Sequence, residues 1–434
     1  MVALETITDL QEKLVTEFHV DKNARANFSS LREKAIKSFS SLGFPTLRNE
    51  DWKYTSLSSI INLPYEIAGV EQIEKFDSSS SILKERSIEL VFINGHFASK
   101  LSDTGLKPDG IVLDTFSRIN DEVFSLIKSK YGALTNIDDN AMVALNTAHA
   151  SDPFLVYIPD NTMVEPIIHF KFISQNKDSN VISFPRILII TGKNTEVKLL
   201  ESFGSEGSGM NFSNLVSEIF VGENSRVEHF KFQSDPNESV LFNETNVVQS
   251  ASCKYSNNTI SMQGKLIRNN LNIVLQEEGS ETELFGLFMT KDRNHIDNHT
   301  LVDHVKPNCV SNELYKGIIN DRSTGVFNGK IMVRQDAQKT NAFQSNKNML
   351  LTDTATINTK PQLEIFADDV KCSHGATTGQ LDMEAMFYLQ SRGISPGNAK
   401  AMLLEAFANE IVDKIKIDSL RDSIKVMLGD YLKV

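Results

Sequence analysis

The chain has 434 residues, 40% hydrophobic and 23% charged, and carries a net charge of −12. That length can build a large buried core, as two or three domains or as one elongated repeat domain. The acidic balance argues against nucleic acid, whose phosphates require an excess of Lys and Arg, and no stretch approaches the roughly 20 apolar residues that span a bilayer.

The opening segment, MVALETITDLQEKLVTEF, is acidic and amphipathic and lacks the basic start and apolar centre of a signal peptide, so a cytoplasmic location is expected. ANFSSLREKAIKSFSSLG places Phe28, Leu31, Ala35, Phe39 and Leu42 near one helical face, with Gly43 as the C-cap. GFPTLRNEDWKYTSL follows, holding the only tryptophan, Trp52. IELVFINGHF reads as a strand entering an Asn94-Gly95 turn, and INDEVFSLIKSKYG as a short helix. A mostly helical N-terminal region is therefore expected over 1–150.

From 151 to 376 the texture changes. ILIITGKNTEVKLLESF, SEIFVGENSRVEHFKFQ and NIVLQEEGSETELFGLF each join an apolar strand, a tight turn and a second alternating strand. MLLTDTATINTKPQLEIF is a weaker copy. Gly192 and Gly222 are 30 residues apart, and Gly279 follows after nearly twice that interval. These glycines are expected to supply positive φ at tight corners. A recurring unit over this length favours stacked coils that share one continuous core. A pair of β-sandwich domains is the plainer alternative.

The remainder, 377–434, reads as helical. LDMEAMFYLQSRG ends at Gly393, and Ser395 and Pro396 form an N-cap and first helical residue. The following helix carries Ala399, Met402, Leu403, Ala406, Phe407, Ile411 and Ile415 at helical spacing, and SLRDSIKVMLGDYL repeats the pattern. Such stripes usually pack on their own core. Helices beyond a closed stack of coils have little core left to cover, which opens the prospect of a partner groove.

Few residues suggest chemistry. Cys253, Cys309 and Cys372 are widely separated, forming neither a disulfide framework nor a CxxC pair. In KCSHGATTGQ, Cys372 and His374 share a face if the backbone is extended, about 7 Å apart at Cα, where sulfur and imidazole can reach one soft or borderline metal. Two ligands do not close a site, and a buried cysteine acting as a small hydrophobe is the plain alternative. In HIDNHTLVDHV, parity puts His295 and His299 on one face and His304 on the other, so a structural role suits at least two of them. Asp297 and Asp303 are either partners of a site or turn residues. The adjacent Asp368 and Asp369 would face opposite ways in a strand and do not converge as an acid and base. No GxSxG, HExxH, P-loop or GxGxxG motif is present.

The span from His295 to Ile394, which includes KCSHGAT, together with RNEDWKYTSL, resembles the SufB/SufD family of iron–sulfur cluster assembly proteins, on its SufD side. The resemblance implies a right-handed parallel β-helix core flanked by N-terminal and C-terminal helical regions. It implies a non-catalytic scaffold that pairs with SufB through the β-helix and binds the SufC ATPase through the C-terminal helices. Met402, Leu403, Phe407 and Ile411 are then the expected ATPase contacts. Cys372 and His374 become a half-site for a transient iron or iron–sulfur cluster shared with SufB, with no cofactor held stably by this chain alone. The same edge would let an isolated chain form a homodimer. A carbohydrate-active enzyme or a purely structural solenoid is the alternative reading of a β-helix.

Overall fold

The computed structural model describes residues 8–19, 26–69, 82–176, 178–235 and 238–432; the first seven residues of the amphipathic opening lie outside these. The chain begins with α1 (Asp9–Thr16), α2 (Ala26–Leu42) and α3 (Ser58–Ile61), then β1 (Glu66–Ile67), β2 (Ser87–Ile93), β3 (His96–Phe97) and β4 (Val112–Thr115), then α4 (Asp121–Ile127) and α5 (Ala141–His149). Gly43 ends α2 at φ +66°, as its sequence suggests, and Asn94 and Gly95 both take positive φ between β2 and β3. Positive φ at both central residues gives the turn a twist that suits two antiparallel strands.

The strands that follow are β5 (Phe154–Ile158), β6 (Ile167–Gln175), β7 (Val181–Ser183), β8 (Arg186–Thr191), β9 (Glu196–Glu206), β10 (Asn211–Val221), β11 (Arg226–Ser234), β12 (Ser239–Gln249), β13 (Lys254–Gln263), β14 (Leu266–Leu275), β15 (Glu281–Thr290), β16 (His295–His304), β17 (Val310–Ile319), β18 (Thr324–Val333), β19 (Asn341–Leu350), β20 (Thr356–Ile365) and β21 (Lys371–Gly379). Among the described residues, even-numbered strands from β8 to β20 pair in parallel into one sheet, and odd-numbered strands from β9 to β21 into another. Each coil contributes one strand to each sheet, so the repeating unit is a solenoid turn, as the recurrence predicts. The solenoid sheets start earlier than residue 151, because β2 pairs in parallel with β6, and they run on to Gly379.

Between the sheets lies a continuous core from Ile88 through Leu199, Val227, Tyr255 and Leu284 to Phe327. The corners are built from repeated conformations. Asn161, Asn194, Asn224, Ser252, Asn308 and Lys339 all have φ between 53° and 61°, and Gly279 takes the equivalent place at 74°. The positive-φ role expected of Gly192 and Gly222 belongs instead to Asn194 and Asn224, two residues on. The two glycines are needed for clearance: a Cβ on Gly222 would stand 2.1 Å from the Gly192 carbonyl oxygen.

Each sheet is covered on its outer face. The N-terminal helices pack on the even-numbered sheet through Phe39, Trp52, Met142, Phe212 and Phe242. Three helices follow β21: α6 (Met383–Ser391), α7 (Pro396–Val412) and α8 (Asp418–Leu432), and α7 begins with the Ser395 cap and Pro396 read from the sequence. Leu404, Ala408, Ile411, Val412, Ile424 and Leu428 of the last two helices pack on Phe230, Ile260, Leu287 and Ile318 of the odd-numbered sheet. The helices do have a core to cover. It is the outer surface of a sheet whose strands are buried on both faces.

Candidate functional site

β20 and β21 end the two sheets, and no further strand pairs with either among the described residues. The last coil is thus uncapped, and Cys372 and His374 lie in it. Register fixes their orientation. Cys372 pairs with Ala342 and His374 with Gln344, both buried inward-facing residues of β19. The two side chains therefore share the inward face of the terminal strand, as the extended reading requires. Cys372 packs against an apolar corner of Ile331, Val333, Ala337, Ala342 and Ala367, and is half-buried. Burial pushes its thiol up from the ordinary value, whereas His374 is exposed.

Beneath His374 the same inward row continues into the solenoid through Gln344 to Glu313. Gln344 Nε2 donates to Glu313 Oε2 at 2.8 Å, and Thr300 Oγ1 donates to Glu313 Oε1 at 2.6 Å. Burial pushes the Glu313 carboxyl up to about 7.

The other cysteines are structural. Cys253 and Cys309 occupy the corner position filled by Ser225, Ser280 and Thr340 in neighbouring coils, just before each strand. There the hydroxyls of Ser225, Ser280 and Thr340 donate to corner carbonyls at 2.8 Å. The thiols do the same, Cys253 Sγ to Ser250 O at 3.1 Å and Cys309 Sγ to Glu277 O at 3.3 Å. Burial raises both, that of Cys253 to about 11.

The histidine group splits as parity demands. His304 faces inward, within 2.9 Å of Ser311 Oγ, and burial lowers it to about 4. His295 and His299 face outward against the N-terminal segment. His299 Nε2 lies 3.0 Å from Asp297 Oδ1, and Asp303 pairs with Arg334. No group of three or more His, Cys, Asp or Glu side chains among the described residues is arranged to hold a metal ion. Asp368 and Asp369 lie at the last corner rather than in a strand.

Asp297 belongs to the lock that seats the EDWKYT stretch. Arg268, buried, donates to Asp297 Oδ2 at 2.6 Å and to the Asp51 carbonyl at 2.8 Å, with its guanidinium 4.0 Å above the Trp52 ring. Thr55 Oγ1 donates to the same Asp297 oxygen at 2.5 Å. Sequence reading noticed Trp52 but not Arg268, because the contact joins residues more than two hundred positions apart.

The expected ATPase-contact stripe is divided. Ile411 is fully buried in the chain's own core, on the side of α7 that meets the sheet. Phe407 is half-buried, with Lys316 Nζ 4.2 Å above its ring and donating to its carbonyl at 2.8 Å. Leu403 is half-buried and Met402 is exposed. α6 adds free apolar surface, since it buries no residue and exposes Met383, Phe387 and Tyr388. That face was missed because a sequence does not say which of two adjoining helices meets the sheet.

A family profile described as "SUF system FeS cluster assembly, SufBD core domain" matches residues 172–407, and one described as "SufBD protein N-terminal region" matches residues 9–170. The chain belongs to the SufBD family. A SufBD family protein of iron–sulfur cluster assembly from Synechocystis is 35% identical, over 91% of this chain and 89% of that protein. The iron–sulfur cluster assembly protein SufD of Escherichia coli is 30% identical over 90% of each chain. Protein ABCI7, chloroplastic, of Arabidopsis thaliana is 28% identical over 96% of this chain and 89% of its own length. In each of these relatives the similarity covers nine-tenths or more of this chain. No helix among the described residues is long and apolar enough to cross a membrane.

Proposed function

We propose that this chain is a SufD-type scaffold subunit. It pairs with a SufB-type partner through the open end of its solenoid, binds a SufC-type ATPase through its C-terminal helices, and supplies Cys372 and His374 as half of a shared cluster site. The observation that carries the reading is the uncapped last coil with both residues on its inward face. An iron–sulfur cluster takes four ligands, usually thiolates. With Cys253 and Cys309 committed to corners, this chain offers two ligands at one place. A partner must bring the rest, so the cluster is cargo of the assembly rather than a resident cofactor. The raised Cys372 thiol fits that order of events, since a thiol held protonated in the free chain gives up its proton when metal arrives. No acid–base pair is assigned to a reaction, and the role is that of a scaffold. For the ATPase, the exposed α6 face and Met402 are the surface on offer, while Ile411 is committed to the chain's own core.

The test is co-expression with the SufB-type and SufC-type partners, anaerobic purification, and assay of iron and sulfide. His374→Ala is expected to lower the cluster content while both partners stay bound, and Cys372→Ala to act in the same direction. Full cluster loading with both residues replaced overturns the half-site.

A further inference from the structure

We propose that Glu313 and Gln344 are positioning residues that fix which ring nitrogen of His374 is presented to the shared site. The inference rests on the half-site reading and goes one layer beneath it. Glu313, Gln344 and His374 occupy consecutive places in one inward row, and neighbouring strands put them about 4.8 Å apart. Glu313 is 5% exposed and Gln344 3%. The amide of Gln344 has one orientation in this row. Its Nε2 donates to Glu313 Oε2, and above pH 7, where Glu313 is ionised, the carboxylate cannot take the place of a donor toward the amide oxygen. The Gln344 Oε1 atom is left buried with no hydrogen-bond partner.

A buried carbonyl oxygen without a donor carries a substantial penalty, so such atoms are rare. The next polar side chain along the row is His374, whose neutral ring has one N–H to donate. In this structure His374 is exposed and makes no hydrogen bond to Gln344; turned inward along the row, its N–H would satisfy the orphaned oxygen and leave the other ring nitrogen with its lone pair for metal, the usual means by which a ligand histidine is held in one tautomer. Gly329 of the facing sheet makes room for this arrangement. A Cβ there would lie 2.4 Å from Gln344 Nε2. Thr300 fixes the carboxylate from below at 2.6 Å.

The experiment uses the full chain labelled with nitrogen-15 at histidine, with the His374 ring signals assigned by their loss in His374→Asn. Above pH 7, where Glu313 is ionised, the unaltered chain is expected to show His374 in one tautomer. Glu313→Gln, nearly isosteric, lets the Gln344 amide turn either way, and Gln344→Met removes both its donor and its acceptor; each should give a mixture of tautomers. Both variants should also lower iron and sulfide in the assembled complex by about tenfold, as loss of a ligand's supporting hydrogen bond does, with partners still bound. Circular dichroism checks folding, and Glu313→Gln decides the matter should Gln344→Met fail to fold. An unchanged His374 tautomer in Glu313→Gln overturns the inference. Because the tautomer is read on the chain without cluster, that outcome is separate from the half-site. If His374→Ala lowers cluster content but Glu313→Gln alters neither tautomer nor loading, the inference falls and the half-site stands. If His374→Ala leaves loading intact, the half-site falls, and the tautomer still decides what Gln344 does.

Discussion

Glu313 exchanges a solvated carboxyl for a site lined by Thr300, Gln344 and the neighbouring Tyr315, and burial carries it from 4.5 to about 7. A folded state that holds a proton more tightly than the unfolded one is most favoured below pH 4.5 and loses that advantage as pH rises to 7, by about 3 kcal/mol in all. Glu313→Gln has no such proton to lose. The stability of the variant relative to the natural chain should therefore grow across that window and level off above it. Denaturant titrations at several pH values measure this, and a constant difference from pH 4.5 to 8 sinks the assignment of a buried, raised carboxyl. Arg268 presents the opposite case. Removing it as Arg268→Ala leaves Asp297, 1% exposed, without its cation and frees the Trp52 face. Breaking one side of a buried pair costs about 3–5 kcal/mol, read as a shift of the denaturation midpoint. A change under about 1 kcal/mol, the value of an exposed pair, shows that the lock does not hold the N-terminal segment.

At the scale of the element, α6 and α7 separate two kinds of apolar residue. Phe387→Asp alters an exposed side chain and should leave the melting temperature unchanged while reducing recovery of the ATPase partner in a pull-down; Ile411→Asp buries a charge beneath α7 and should destabilise the chain itself. Equal ATPase recovery with Phe387→Asp removes α6 from the docking surface. The corner strands make a second prediction. Gly222→Ala places a methyl 2.1 Å from a backbone oxygen that cannot swing aside, so it should destabilise by about 2–3 kcal/mol although φ there is ordinary. The coil repeat was legible because each turn re-uses the same local chemistry, an apolar alternation broken by Asn, Gly or Ser. The pairing of Cys372 with His374 on one face was legible for a similar reason, since strand parity needs only near neighbours. Arg268 with Trp52, Glu313 with Gln344 and the orientation of α7 were not, because each depends on which coil lies beside which. The positive φ assigned to Gly192 and Gly222 missed by two residues because asparagine tolerates the left-handed conformation and can take the corner itself.

The molecule as a whole is asymmetric along its solenoid axis. At the first end the sheets finish in the short antiparallel strands β3 and β4, while at the other end they finish in the long parallel strands β20 and β21, whose outer edges pair with no further strand among the described residues. Phe343, Ile365 and Phe366 are exposed in the last coils. Uncovered edges of this length are templates for pairing, so the chain alone should self-associate through them, and Phe366→Asp should shift the sedimentation profile toward monomer. Identical profiles for both proteins place self-association elsewhere. In a stack whose coils contact only their neighbours, each coil is stabilised from two sides except the last. The terminal coil is in this respect the growth face of a one-dimensional crystal. It lacks the layer that would complete it, and its residues should exchange amide hydrogens faster than those a few coils below, slowing when another chain supplies that layer. Cys372 and His374, the proposed ligands, thus sit where order itself depends on company, and an unaccompanied subunit presents them on what should be the least settled layer of the lattice.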